Sequence, residues 1–568
     1  MFRNVSAKRK GAALVATAAA ATLLMTGCSA AGSGSSSGGS GSGSASDTLV
    51  AYTGQAGDYQ INFNPYSPST IGGVGEIFEP LFFFNQLKNE DPKPMLGTEF
   101  SWNEDGTVLS VTLREGVKWS DGEDFTADDV AFSLNLLKEN PAINAIGFDG
   151  EVAVVDPTHV TITFPAPAYV NGPSILGRTW IVPEHLWADI DPATDVVSKP
   201  VGTGPFVLGE FKAQAFRYDA NPTYWNGEPE LKHVRYVALS GNQAGADALA
   251  AGTIDWQTGP VPDMANVEKN YPGYKAVTVH MNQVALFTCS NAELGCEGPQ
   301  TDPAVRQALY YAMDRDQINS LAFQDTAAEI SPGFALPERD EALLSENLPE
   351  KTAPMSPDVD KATQILEGAG YVKGSDGIYA KDGVRLAMSV RVVTGWTDYI
   401  TAVDLLAQQA KAVGIEITAL QSSWNEWTEV RGLGQYQLLI DSVTQGPAAD
   451  PYYMYNEFFS TANTGPVGES VNPGFARFSD PEVDAALEAL RTSNPTDVEA
   501  RKPHYDVIQQ KIAANLPYIP VLTGGTTSEY NAAKFSGWPT EEDLYAFPAV
   551  WSRPDSSQIF ASLTPTGK

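Results

Sequence analysis

Residues 105–130 read DGTVLSVTLREGVKWSDGEDFTADDV. Leu109, Val111 and Leu113 alternate with polar positions, which predicts a half-buried strand ending at the Glu115-Gly116 turn. From Phe125 the period changes. Thr126 is a hydroxyl N-cap with Asp129 three residues on, and Val130, Phe132, Leu134 and Leu137 then carry a helical stripe. A second stretch extends the pattern: 386–393 reads as a strand, and 398–413 as a helix with an apolar face of Ile400, Val403, Leu406, Ala407 and Ala410. Gly414 caps that helix and 415–420 is the next strand. Strand, helix, strand in this order implies a right-handed parallel crossover, hence an α/β lobe. Other βα-like stretches precede it, so one such lobe is not the whole body. No short-period repeat is visible, which argues against a solenoid or propeller.

The 568 residues are 43% hydrophobic, enough for about two or three globular units with cores of their own. Against 36 Lys+Arg stand 69 Asp+Glu, a formal charge of −33. That balance repels a phosphate backbone and supplies no basic stripe, so nucleic acid is not an expected partner. It suits a solvated, soluble surface.

At the start of the chain, Arg3, Lys8, Arg9 and Lys10 precede an apolar, Ala-rich stretch, 11–25, too short to be a comfortable permanent span. Residues 1–27 therefore read as a signal peptide. The stretch Leu24-Met25-Thr26-Gly27-Cys28 resembles the lipobox of bacterial lipoproteins, with Met25 where the pattern more often has Leu, Val or Ile. The resemblance implies that Cys28 becomes the lipid-anchored mature N-terminus on the outer face of the cell membrane. Residues 29–46 are only Ser, Gly and Ala, a flexible tether with a root-mean-square reach of about 20 to 25 Å. Two further cysteines, Cys289 and Cys296, close a short loop and in an exported chain are expected to form a disulfide.

The signatures of catalysis are missing from the sequence. It has no G-x-S-x-G elbow, no H-E-x-x-H and no G-x-x-x-x-G-K-[ST] loop. The five histidines, His159, His185, His233, His280 and His504, are scattered singly, so neither a metal site nor a cofactor is expected. Asp128-Asp129 and Glu541-Glu542-Asp543 could be glycosidase carboxylates only if placed about 5 to 10 Å apart across a sugar. They read as a helix N-terminal cap and a solvated turn.

The stretch 105–130 closely resembles the signature of the family 5 extracellular solute-binding proteins, the oligopeptide, dipeptide and nickel receptors of ABC importers. Further matches follow in the family's order: Phe63-Asn64-Pro65, Ile77-Phe78-Glu79-Pro80-Leu81, Ile181-Val182-Pro183-Glu184-His185-Leu186, Gly202-Thr203-Gly204-Pro205-Phe206, Asn221-Pro222-Thr223-Tyr224-Trp225, 302–309, and Lys361-Ala362 to Gly370-Tyr371. The resemblance implies an α/β, type II periplasmic-binding-protein fold of the large cluster. Lobe I would comprise 47–85, 200–278 and 525–568, with an extra subdomain at 86–199, and lobe II would be 279–524. It also implies a non-enzymatic monomer that closes on a small polar solute, a short peptide or an oligosaccharide, and hands it to ABC permease subunits. The rival readings are a secreted hydrolase and a ligand-sensing surface lipoprotein without a transporter.

Peptide receptors of the family hold the ligand's amine with the first acid of a D-Y-P-D-P-like segment. Here the matching stretch is Pro447-Ala448-Ala449-Asp450-Pro451, with proline in place of that acid, and Asp441 or Asp450 are the possible substitutes. Around it gather Trp396, Trp424, Trp427, Tyr452, Tyr453 and Tyr455, with Asn425, Gln445 and Asn456 among them. Aromatic faces with amide hydrogen-bonders suit sugar rings, and some family members bind oligosaccharides. The expected ligand-binding residues are Trp396, Trp424, Asn425, Trp427, Gln445, Asp450, Tyr452, Tyr453 and Asn456. Nickel is the least suited ligand, given the sparse histidines.

Overall fold

The computed structural model describes residues 47–54, 58–67, 69–144 and 146–567. The expected signal peptide, Cys28 and the Ser/Gly tether lie outside the described residues, as does the side chain of Asn425.

Ten strands form one mixed sheet: β1 (Thr48–Tyr52), β2 (Phe206–Lys212), β3 (Ala215–Ala220), β4 (His233–Val237), β5 (Trp256–Thr258), β6 (Tyr274–Thr288), β7 (Ala387–Val393), β8 (Glu416–Ser422), β9 (Leu438–Val443) and β10 (Tyr518–Asn531). Their order across the sheet is β8-β7-β9-β6-β10-β5-β1-β4-β3-β2. The pairs β7/β8 and β7/β9 are parallel, as are β1/β4 and β1/β5. The expected crossover is present: α1 (Thr397–Ala412) joins β7 to its parallel neighbour β8 in register from Ala387↔Glu416 to Val393↔Ser422. Its buried face is Ala402, Val403, Leu405, Leu406 and Ala410, so the stripe is rotated from the expected one and leaves Ile400 and Ala407 at the margin. Gly414 takes φ +80° at the helix exit, a conformation glycine adopts without steric cost.

The two long strands β6 and β10 pair antiparallel at the centre of the sheet and pass from one hydrophobic core to another. Val284 to Phe287 and Tyr518 to Leu522 pack in a large core with β7 and β9, whereas Val277 and Tyr530 pack with β1, β4 and Trp256. Register shifts fall between His280 and Asn282 and between Val284 and Ala285. Opposite the first, a Cβ on Gly525 would stand 2.0 Å from the Thr326 carbonyl oxygen, so only glycine admits that loop. The boundaries 278/279 and 524/525 read from the resemblance fall beside this irregularity.

The stretch 105–130 builds a further core. Val108–Leu113 is a strand of a four-stranded antiparallel sheet with Gly97–Trp102, His159–Thr163 and Glu151–Asp156. Its Leu109, Val111 and Leu113 point inward with Trp119, Val130 and Leu134. The capping box forms: Asp129 Oδ2 accepts from Thr126 N at 2.9 Å and Thr126 Oγ1 accepts from Asp128 N at 3.3 Å. The segment 86–199 is not sealed off from the rest, because Trp180, Val182 and Trp187 pack in the β1/β4 core and Val170 packs in the large one. Cys289 and Cys296 are joined in a disulfide with Cα atoms 5.4 Å apart.

Candidate functional site

Helix α2 (Pro451–Phe459) begins where Asp450, its N-cap, accepts from Tyr452 N at 2.8 Å and proline fills the first turn. The same carboxylate accepts from Arg501 Nη1 at 2.6 Å and from the Tyr505 hydroxyl. Asp450 thus anchors the helix, and its charge is already matched by a cation of the chain.

So placed, α2 presents Tyr452, Tyr453, Asn456 and Glu457 to a cavity of about 530 Å³. Asp441 and Ser442 of β9, with Arg431, form a second wall, and Val170, Asn171 and Ser174 close it from the segment 86–199. The Arg431 guanidinium lies 4.5 Å from the Trp427 ring and 4.3 Å from that of Phe475, and donates to Asp441 Oδ2 at 2.5 Å. Burial raises the Asp441 carboxyl and the Arg431 charge draws it back. Glu457 differs: its carboxylate has no hydrogen-bond partner among the described residues, and burial pushes it up to about 7 against the pull of Arg178. Arg178 belongs to the facing segment and donates to the Arg553 carbonyl at 2.5 Å.

The expected tryptophans form a separate cluster reached through Arg431. Trp424 stacks on Trp427 with centroids 5.5 Å apart, and Trp396 meets both at 5.6 and 5.5 Å. Trp424 is 51% exposed, whereas Trp427 is fully buried and its indole N–H has no partner among the described residues. Trp427 is therefore the base of the platform, and Trp424 its open face. Gln445 does not line this cavity. It is buried, donates to Gln283 at 2.8 Å and accepts from Arg339 at 2.9 Å, an internal network between the central strands and the loop after β9.

Arg431 and Glu457 escaped the sequence reading. Arg431 stands four residues after Trp427 on one helix face, a cation–aromatic spacing, and Glu457 is a lone acid in the aromatic run YYMYNEFF, which is the signal it offered. Among the described residues no group of three His, Cys, Asp or Glu could hold a metal ion. A larger cavity of about 750 Å³ lies on the far side of Tyr453, with Phe100, Trp102, Tyr169 and Asp450 among its walls.

The family model for bacterial extracellular solute-binding proteins, family 5, middle region, matches residues 91–466, and the chain belongs to that family. Protein XP55 of Streptomyces lividans is 31% identical over 430 residues, 73% of each chain. The oligopeptide-binding protein AppA of Bacillus subtilis is 26% identical over 436 residues, 73% of this chain and 75% of its own. A crystal structure of a mannohexaose-bound periplasmic oligopeptide-binding protein of an ABC transporter from Thermotoga maritima superposes with a TM-score of 0.80 at 22% identity, covering 92% of this chain and 99% of that one. The fold is accordingly the type II periplasmic-binding-protein fold. The family is one of extracytoplasmic solute-binding proteins rather than enzymes.

Proposed function

We propose that this chain is the substrate-binding protein of an ABC importer, which takes a short peptide into the cavity between α2 and the segment 170–174 and delivers it to permease subunits. The observation that carries the reading is the charge pattern of that cavity: a compensated Arg431–Asp441 pair, and one carboxylate, Glu457, left for a cation that the chain does not place in hydrogen-bonding contact. A peptide brings an ammonium group to Glu457 and amides to Asn171, Asn456 and Ser174. Because the walls belong to two halves joined through β6 and β10, a ligand touching both stabilises the closed arrangement by its differential affinity. Lipidation at Cys28 would hold the monomer at the membrane, and no bond of the ligand is made or broken.

An oligosaccharide is the second reading, favoured by the open face of Trp424 over Trp427 and by the mannohexaose named for the Thermotoga structure. A thermal-shift screen separates the two, since a ligand at 100 times its Kd adds about 2.7 kcal/mol of stability. Short peptides with a free N-terminus should raise the Tm, and N-acetylated ones should do so less. Equal shifts from both peptide forms would remove Glu457 as the anchor. Turnover of either ligand class by the purified protein would favour the hydrolase, and a response only to a macromolecule would favour the surface sensor.

A further inference from the structure

Among the described residues, the cavities of about 530 and 750 Å³ share one lining residue, Tyr453. Each is of a size that holds a small ligand by itself. The segment opposite is shared by alternation, Val170, Asn171 and Ser174 facing the smaller cavity and Tyr169, Gly172 and Pro173 the larger. The Tyr453 hydroxyl donates to the Val170 carbonyl oxygen at 2.9 Å, so ring and segment meet where the two linings adjoin. A Cβ at position 446 would lie 2.5 Å from the Tyr453 Cβ, so glycine there leaves the room that the base of this side chain occupies.

The two spaces differ in chemistry. The smaller holds Arg431, Asp441 and Glu457, groups that recognise a charged end. The larger sets the aromatic faces of Phe100, Trp102 and Tyr169 beside Lys88, Glu90 and Asp91, and so can hold a further length of chain by stacking and by polar contact. We propose that Tyr453 sets ligand length: with the ring in place the smaller compartment takes a short ligand whole, and removing the ring joins the compartments into one channel for longer ligands. This rests on the reading of the cavity as a solute site given above.

The test uses the full chain, the Tyr453→Ala, Tyr453→Leu and Tyr453→Phe variants, and alanine oligopeptides of stepwise length, with binding followed by calorimetry. Leucine fills part of the buried site and guards against loss of fold in the alanine variant. In the wild type, affinity should stop rising beyond a short oligomer. Tyr453→Leu and Tyr453→Ala should improve the affinity for the longest oligomer relative to the shortest by about tenfold or more. Tyr453→Phe, which keeps the ring and loses only the bond to Val170, should hold the wild-type length profile. Wild-type binding with an unchanged length profile in the leucine variant would overturn the partition and leave the solute site standing. No binding of the oligopeptides to the wild type would overturn the peptide reading of the cavity itself, and the partition with it.

Discussion

Arg501 and Asp450 form an ion pair of 2.6 Å with side chains only 3% and 15% exposed, and on it depends the start of the helix that carries the cavity wall. A buried charge that loses its partner costs far more than an exposed one. Arg501→Met leaves the Asp450 carboxylate with only hydroxyl and amide donors, and should cost about 3 to 5 kcal/mol in urea unfolding. A loss no larger than that of a surface substitution would mean that water reaches the pair.

The tryptophans should separate by burial. Trp427→Ala removes a fully buried ring and should cost about 3 to 5 kcal/mol, whereas Trp424→Ala removes a half-exposed one and should cost about 1 kcal/mol or less. If the platform holds a sugar, Trp424→Ala should abolish the Tm shift given by mannose oligomers and spare the shift given by peptides. An undiminished sugar shift in that variant would show that ligand does not stack there.

Glu457 predicts a pH dependence of defined sign. A free Glu carboxyl titrates near about 4.3 and this one near about 7, so between those values the folded chain holds a proton that the unfolded chain has released. Stability from this group is complete below the lower value and declines as pH rises through about 7. Glu457→Gln should therefore show a smaller fall in Tm between pH 5 and pH 8 than the wild type. Binding of an ammonium ligand should strengthen over the same interval in the wild type and not in the variant. Parallel Tm profiles would place the carboxyl in ordinary contact with solvent.

The disulfide closes a short loop whose ends carry structure on both sides. Ser290 N and Oγ both donate to the Ala476 carbonyl, and Val467 N donates to that of Leu294, so the loop braces the segment 467–476 that lines the smaller cavity. Removing both sulfurs as Cys289→Ser with Cys296→Ser should cost about 2 to 3 kcal/mol through the freed unfolded chain. Peptide affinity should fall with it as the wall at Asn472 and Phe475 loosens. Unchanged affinity with reduced stability would confine the bridge to folding.

The parts of the fold that were legible in the sequence are those set by near neighbours. The alternation of Leu109, Val111 and Leu113, the Thr126–Asp129 box and the Gly414 exit each act within a few residues, and each appears where the pattern put it. The long strands were hidden because β10 runs from the apolar Tyr518–Leu522 through Gly524-Gly525 into the polar Thr526–Ser528, a change that reads as a strand ending when it marks passage between cores. Aromatic clustering in the sequence picks out Tyr452 and Tyr453, which line the smaller cavity, together with the tryptophans, which gather in a cluster of their own. It also drew in Gln445, whose partner Gln283 lies on a neighbouring strand remote in sequence. Glu457 acquires meaning only from the cavity it lines and from Arg178, which the fold alone brings near.

The pairing of the central sheet imposes an order of assembly. Strand β1 has no neighbour until residues 233–237 and 256–258 exist to flank it, and β5 in turn waits for 528–530 near the other end of the chain. A polypeptide emerging amino end first keeps Thr48–Tyr52 unmatched until nearly half of the chain has followed, and leaves one side of β5 open until the last long strand arrives. Completion is thus a late, all-chain event, slow in the manner of folds rich in distant contacts, and any helper that shields the early strands acts during that wait.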